Sequence, residues 1–218
     1  HLILLCENQK GYQNLVKLVS LASLDGFYQK PRVDWELLSQ YHEGLICLSG
    51  CLAGEVAQKL TGDDYAGAKE TALRYRTLFG AENYFLEIQN HQIRDELRNL
   101  PQLIRLSRET GIPLAATNDA HYIRREDAAM QEVLLCIQTG KSLDDPEHMH
   151  FETNEFYLKS TAEMAALFAD VPEAVTNTAK IAERCQKYGV TLILDECFVM
   201  FTGAEERYSF LKKYRNYP

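Results

Sequence analysis

The sequence contains neither a G-x-G-x-x-G motif nor a G-x-x-x-x-G-K-[ST] motif. Because these glycine-rich loops hold the phosphates of dinucleotides and nucleoside triphosphates, their absence removes support for either kind of nucleotide site. The segment QTGK at residues 138–141 is too small a part of such a loop to restore that reading.

Long apolar segments and a charged-then-apolar leader are also missing. A membrane-spanning helix needs about 18 or more apolar residues, so we predict a protein that is neither exported nor membrane-embedded. The six cysteines form no C-x-x-C pair, and four lie in apolar runs where thiols behave as small hydrophobic side chains. This usage predicts a reducing, cytoplasmic compartment.

The first residues, HLILLC, resemble the interior of a domain, so we expect further residues upstream.

Basic residues are scarce relative to acidic ones. Lysine and arginine number 23 against 31 aspartates and glutamates, which gives a formal charge of -8. This balance disfavours a broad electrostatic grip on phosphate backbones, so any contact with nucleic acid must be local.

Apolar runs and helical periodicity alternate along the first half of the chain. Strands are predicted at residues 2–6, 45–49, 84–88 and 112–116, and helices at residues 12–24, 35–41, 54–60, 65–79 and 93–109. The first run reads as a strand buried on both faces, followed by Asn8 and Gly11 as turn residues. The alternation predicts a mainly parallel sheet covered by helices, either open and doubly wound or closed into a barrel.

After His121 the pattern changes to helices at residues 126–137, 162–168 and 172–185, with an irregular stretch around Pro146 and an apolar run at residues 155–158. This part is predicted to be an extension or connector.

Residues with metal-binding chemistry follow three of the predicted strands. They are Cys51, His91, and the pair Asp119 and His121. Because functional sites of parallel α/β folds lie at the carboxyl ends of the strands, this shared position favours a common site. Asp119 and His121, one residue apart in an extended loop, could bind one metal ion or two neighbouring ions.

Each candidate has an ordinary alternative. Asp119 could cap a turn with His121 merely half-buried, and Cys51 could be a small buried hydrophobic residue. His91 could face solvent, or support a metal ligand without binding metal itself. Glu87 is predicted to face the same end of the sheet and to support the metal ligands there. Alternatively, it could be a strand residue paired with an arginine such as Arg94.

Several long segments, in this order, resemble the alpha-subunit family of bacterial DNA polymerase III, within its PHP (polymerase and histidinol phosphatase) domain. They are GYQNLVKLVSLASLDGFYQKPRVDWELL, EGLICLSGCLAGEV, NYFLEIQNH, GIPLAATNDAHY, LLCIQTGKSLDDP and FYLKSTAEMAALFADVPEAVTNTAKIAERC. The resemblance covers about residues 1 to 185.

The resemblance implies a PHP-type distorted (β/α) barrel, incomplete at the N-terminus, with a helical C-terminal extension. Residues 1–125 would be the later part of the barrel and residues 126–187 a connector toward the polymerase core. The family binds zinc or manganese at the strand ends, and its later ligands fall on His1, Cys51, Asp119 and His121. A His-x-His pair and further ligands of the family would precede His1, so the cluster is expected to be partial.

The resemblance also implies function. The full-length parent would be a DNA-directed DNA polymerase acting on primer-template and deoxynucleoside triphosphates, with Mg²⁺ in a core absent from this sequence. A complete PHP site could support 3′–5′ exonuclease chemistry. Partners would be the proofreading exonuclease subunit and other replicase subunits, and this fragment alone is expected to be inactive, with no catalytic residue assigned. The alternatives are a stand-alone PHP phosphoesterase and a non-catalytic scaffold that docks the proofreading subunit.

Residues 188–218 depart from the family pattern. They are either the product of an altered reading frame or a genuine variant with a strand at residues 191–194 and a helix at residues 205–213.

Overall fold

The computed structural model describes residues 1–187. The elements in chain order are β1 (Ile3–Cys6), α1 (Gln9–Leu24), α2 (Trp35–Gln40), β2 (Leu45–Leu48), α3 (Glu55–Thr61), α4 (Tyr65–Phe79), β3 (Tyr84–Ile88), α5 (Arg94–Thr110), β4 (Leu114–Ala116), α6 (Ala128–Thr139), α7 (Thr161–Leu167) and α8 (Pro172–Lys187). One turn of 3-10 helix, Arg125–Asp127, precedes α6. The predicted α/β class and the alternation of strands and helices are confirmed. The divergent tail, with its expected strand and helix, lies outside the described residues.

The four strands form one sheet in the order β1-β2-β3-β4. β2, β3 and β4 run parallel to one another, whereas β1 is antiparallel to β2. The prediction that β1 is buried on both faces is wrong, since Ile3 at its start is 42% exposed. β1 lies at the edge of this sheet, where only one side has a strand partner. The other three strands are fully buried, as their continuous apolar runs predicted.

Gly11 was predicted as a turn residue but lies in the first turn of α1. Asn8 caps this helix, because its side-chain oxygen accepts a hydrogen bond from the Gly11 N–H at 3.0 Å. Gly11 is buried, and a Cβ atom placed on it would lie 1.8 Å from the carbonyl oxygen of Gly44. The glycine therefore lets α1 approach the loop before β2 at backbone distance.

Side chains alternate between the two faces of the sheet. One face, with Cys47, Leu86 and Leu114, belongs to the large core cluster that also contains residues of α1, α3, α4 and α5. The other face carries a smaller cluster, in which Ile181 of α8 packs with Ile46, Leu48, Phe85 and Ala115. α8 is also tied to β4, because Asn177 and Thr178 donate hydrogen bonds to the carbonyl oxygens of Leu114 and Ala116. Helices thus cover both faces of the sheet.

The described residues divide into two compact units. The first takes residues 1–90, 94–117 and those from 164 onward, and it contains the sheet. The second takes residues 91–93 and 118–163, and it contains α6 and a cluster of Tyr122, Phe156 and Tyr157. The predicted domain boundaries at residues 125 and 187 are not decided by this division and stay a prediction.

Candidate metal centre

Cys51 lies in the turn that follows β2 in the first unit. Its Sγ atom is 3.8 Å from Nδ1 of His1, so the structure brings these two predicted ligands together. A tetrahedral zinc ion with ordinary bond lengths holds a sulfur and a nitrogen ligand about 3.6 Å apart. The observed separation therefore suits two neighbouring ligands of one ion. Cys51 is half-buried, which differs from the fully buried hydrophobic role considered as its alternative.

The backbone of this turn requires a glycine before Cys51. Gly50 has a φ of +84°, in the left-handed region, and a Cβ atom on it would lie 2.9 Å from the carbonyl oxygen of His1. Any side chain at position 50 would therefore meet both a conformational penalty and this contact. The short distance shows that the backbone at Gly50 lies close to His1, just before β1.

Glu87 in β3 is a buried carboxylate, 5% exposed, at the carboxyl end of its strand. Its Oε2 accepts a hydrogen bond from the Gly50 N–H at 3.1 Å, and its Oε1 accepts one from Nε2 of Gln89 at 3.1 Å. The hydroxyl of Thr117, directly after β4, donates to the same Oε1 at 2.5 Å. Glu87 therefore links the ends of three strands.

A small pocket opens beside this corner within the first unit. Its lining residues are Gly50, Cys51, Leu52, Ala57, Glu87, Gln89, Glu96, Asn99, Leu100 and Leu103. The lining therefore combines acidic and polar side chains with apolar ones, and both Glu87 and Cys51 contribute to it.

Asp119 and His121 lie in the second unit, close to each other. Oδ1 of Asp119 is 3.5 Å from Nε2 of His121, and each side chain is more than one-third exposed. A tetrahedral zinc ion would hold an oxygen and a nitrogen ligand about 3.4 Å apart, so this pair also has suitable spacing. The hydrogen bond with His121 lowers the pKa of the Asp119 carboxyl below its ordinary value, which favours the ionised form that binds metal.

Local structure holds this pair in place. Asp119 has a φ of 43°, in the left-handed region that aspartate tolerates better than most residues. The His121 N–H donates to the carbonyl oxygen of Phe156 at 2.8 Å. The rings of Phe151 and Phe156 lie 4.9 and 5.5 Å from the His121 ring, so two aromatic side chains limit its orientation.

His91 is 1% exposed, so the solvent-facing alternative for this residue is wrong. Its ring stacks on Phe156 with centroids 4.2 Å apart. Nε2 lies 2.8 Å from the carbonyl oxygen of Asn118, the residue before Asp119. This contact agrees with a residue that supports the Asp119 segment, and its role toward a metal stays a prediction.

Sequence reasoning missed three residues that organise these segments. Ser49 and Thr117 each directly follow the last residue of a strand. The Ser49 hydroxyl accepts a hydrogen bond from the backbone N–H of Glu87 at 2.9 Å, and the Thr117 hydroxyl donates one to the Glu87 carboxylate. Phe156 contacts both His91 and His121. Hydroxyl residues directly after strands were a usable signal, whereas nothing in the sequence pointed to Phe156.

Within residues 1–187, no group of three or more histidine, cysteine, aspartate or glutamate side chains is arranged to hold a metal ion. The first unit contains the pair His1 and Cys51 and the second unit contains the pair Asp119 and His121, and the four-residue ligand set stays a prediction. Across the same residues, no helix is both long and apolar enough to cross a membrane.

Comparison with known proteins adds to this geometry. Residues 1–91 match the family model of the PHP domain. The chain is 51% identical over 185 residues to the DNA polymerase III subunit alpha of Treponema pallidum, covering 85% of this chain and 16% of that protein. The corresponding protein of Borreliella burgdorferi is 45% identical over 191 residues, covering 88% and 17%, and that of Thermus aquaticus is 43% identical over 188 residues, covering 85% and 15%. The chain thus spans about a sixth of the length of these relatives.

Proposed function

Because this chain belongs to the PHP-domain part of the DNA polymerase III alpha-subunit family, we propose that it is a portion of a replicative DNA polymerase. The observation that carries the proposal is the identity of 51% over 185 residues, which extends well beyond the PHP match at residues 1–91. That extension disfavours a stand-alone PHP phosphoesterase.

In this proposal the whole protein is a DNA-directed DNA polymerase that extends a primer on its template with deoxynucleoside triphosphates. Mg²⁺ would serve its polymerase core. Its partners would include the proofreading exonuclease subunit and other replicase subunits. The chain spans 16% of the length of its Treponema pallidum relative, so these properties are assigned to the whole protein.

The PHP part would bind zinc or manganese through His1, Cys51, Asp119 and His121. Thiolate, imidazole and carboxylate are the groups that zinc prefers in proteins, and both observed pairs have the spacing of adjacent tetrahedral ligands. When its site is complete, the metal would supply an activated water for 3′–5′ exonuclease or phosphoesterase chemistry. Because no group of three or more such ligands is arranged to hold a metal ion within residues 1–187, this chain is expected to release no nucleotide, and it would then act as a scaffold.

Metal retention tests the ligand assignment. The chain is equilibrated with zinc, dialysed, and analysed for bound metal by mass spectrometry. We expect the double variant Asp119→Ala and His121→Ala to retain less zinc than the wild type. The matched control, Asp144→Ala and His150→Ala, removes the same two residue types from exposed positions and should retain the wild-type amount. Equal retention by wild type and the Asp119 and His121 variant would reject the assignment.

A second assay tests activity. Release of a mismatched 3′ nucleotide from a labelled primer is measured with added zinc or manganese. Sustained release by this chain that the Asp119 and His121 variant abolishes would show a working site and contradict the scaffold role.

A further inference from the structure

Glu87 is the only carboxylate in the otherwise apolar strand β3, which reads YFLEI. Burying a charged group is unfavourable unless donors replace the water that it loses. A strand needs no charge to pair with its neighbours, and a serine or threonine could supply a hydrogen bond at lower cost. The presence of a buried carboxylate at the strand ends therefore calls for a specific explanation.

The contacts of Glu87 point to the corner that carries Cys51. One oxygen holds the Gly50 N–H at 3.1 Å, and the backbone N–H of Glu87 donates to the hydroxyl of Ser49 at 2.9 Å. These two hydrogen bonds hold Ser49 and Gly50, the two residues that precede Cys51, against Glu87. The position of the Cys51 thiol follows from the direction in which this backbone leaves β2.

The other carboxylate oxygen is anchored separately. Thr117 donates to Oε1 at 2.5 Å and Gln89 donates to it at 3.1 Å, while Gln89 also reaches the Thr117 hydroxyl at 3.1 Å. The carboxylate is therefore held by donors that directly follow β3 and β4. The hydrogen bonds from Thr117 and Gln89 therefore fix the carboxylate, and the carboxylate in turn fixes the Gly50 N–H.

We propose that Glu87 is a positioning residue, which sets the Cys51 thiolate for metal binding through the Gly50 N–H and adds negative charge beside the site. The inference deepens the proposed metal site and rests on it. Groups that orient metal ligands typically change metal affinity by roughly 10- to 100-fold when they are altered.

The substitution Glu87→Gln isolates this role. Glutamine has nearly the same shape, but its amide offers one acceptor oxygen and one NH₂ donor in place of two acceptors. Its NH₂ group must then face either the Gly50 N–H or the NH₂ of Gln89, so at least one of the present hydrogen bonds to this side chain is lost. The second variant, Ser49→Ala, removes only the hydroxyl that holds the backbone of Glu87.

Cobalt(II) serves as the probe, because thiolate ligation gives a charge-transfer absorption that reports directly on Cys51. We expect the wild type to show this band and Cys51→Ser to lose it. Glu87→Gln should bind cobalt about tenfold more weakly with a changed band, and Ser49→Ala should weaken it in the same direction. The control Ile112→Val loses one buried methylene two residues before β4 begins, away from Thr117, and should keep wild-type affinity.

The outcomes separate the two claims. If the wild type gives no thiolate band, ligation by Cys51 is wrong and the inference fails with it. If the wild-type band is present but Glu87→Gln and Ser49→Ala leave affinity and band unchanged, the metal site stands and the positioning role is overturned. If Glu87→Gln lowers thermal stability but leaves cobalt binding unchanged, as expected for the control Ile112→Val, the positioning role of Glu87 is overturned as well.

Discussion

Arg184 of α8 forms an ion pair with Glu7, the residue that directly follows β1, with Nε donating to Oε1 at 3.2 Å. The same guanidinium donates to the carbonyl oxygen of Glu82 and to Oδ1 of Asn83, both at 2.5 Å. Glu82 and Asn83 lead into β3. One side chain near the end of the described residues therefore ties α8 to two strands of the sheet.

Replacing Arg184 with methionine should destabilise the fold. The change leaves the partly buried Glu7 without its cation and removes hydrogen bonds to Glu82 and Asn83, so the free energy of unfolding should fall by roughly 1–3 kcal/mol. Urea denaturation measures this loss. The control Lys180→Met, an exposed lysine of the same helix, should change stability by no more than about 0.5 kcal/mol. Equal effects of the two variants would mean that the ion pair contributes nothing specific.

Gly11→Ala should be more damaging than an ordinary glycine substitution. Its Cβ would meet the backbone oxygen of Gly44 at 1.8 Å, so α1 would have to move away from that loop. We expect a loss of about 2 kcal/mol or more in the free energy of unfolding. At Gly62 the atom nearest to an added Cβ would be 3.4 Å away, so Gly62→Ala should be tolerated. A Gly11→Ala protein as stable as Gly62→Ala would contradict the close approach.

Pro101 lies inside α5 at an exposed position. Proline has no N–H to donate to the carbonyl oxygen of Leu97, four residues earlier, and it disfavours a helix interior by about 3 kcal/mol relative to alanine. Pro101→Ala should therefore raise the free energy of unfolding by roughly 1–3 kcal/mol, measured by thermal denaturation. The neighbouring variant Gln102→Ala should produce a much smaller change. A loss of stability on replacing Pro101 would show that the helix is adapted to the proline.

His148 should titrate with a pKa above its ordinary value of 6.5. Its Nε2 lies 2.6 Å from Oε1 of Glu132 and its Nδ1 lies 2.6 Å from the carbonyl oxygen of Asp145. Only the protonated ring can donate at both nitrogens, so the hydrogen bond to Glu132 first, and then the bond to Asp145, raise the pKa.

The sign of the pH dependence follows from this rise. The unfolded chain binds the proton less tightly, so the contribution of His148 to stability is complete below pH 6.5 and disappears as the pH rises through the raised pKa. An NMR titration should find that Glu132→Gln moves the midpoint back toward 6.5. The control Glu147→Gln, at an exposed position, should leave it unchanged. An unaltered midpoint in Glu132→Gln would reject the pairing.

Much of the fold was predictable from local pattern. The bounds of α4 and β3 agree with the predicted residues 65–79 and 84–88, because helical periodicity and a continuous apolar run are strong local signals. β1 was misjudged because an apolar run does not reveal whether a strand lies at the edge of its sheet. Gly11 was misjudged because a glycine needed for close packing looks like a glycine needed for a turn.

The candidate site was predictable in its residue types and less so in its surroundings. Ligand-type residues after successive strands indicated Cys51, Asp119 and His121, and the structure pairs Cys51 with His1 and Asp119 with His121. The resemblance alone suggested His1. The burial of His91 against Phe156 had no sequence signal, because these residues are far apart in the chain and meet only after folding.

The sequence by itself determined the order of strands and helices, the family, and the chemistry available at the strand ends, since these depend on residue type and short-range spacing. Tertiary structure decided which groups meet. It joined Arg184 to Glu7 across 177 positions, and it placed the Glu87 carboxylate between the ends of β2 and β4. The physical reason is that a buried charge is stable only where distant donors converge on it, and such convergence has no period along the chain.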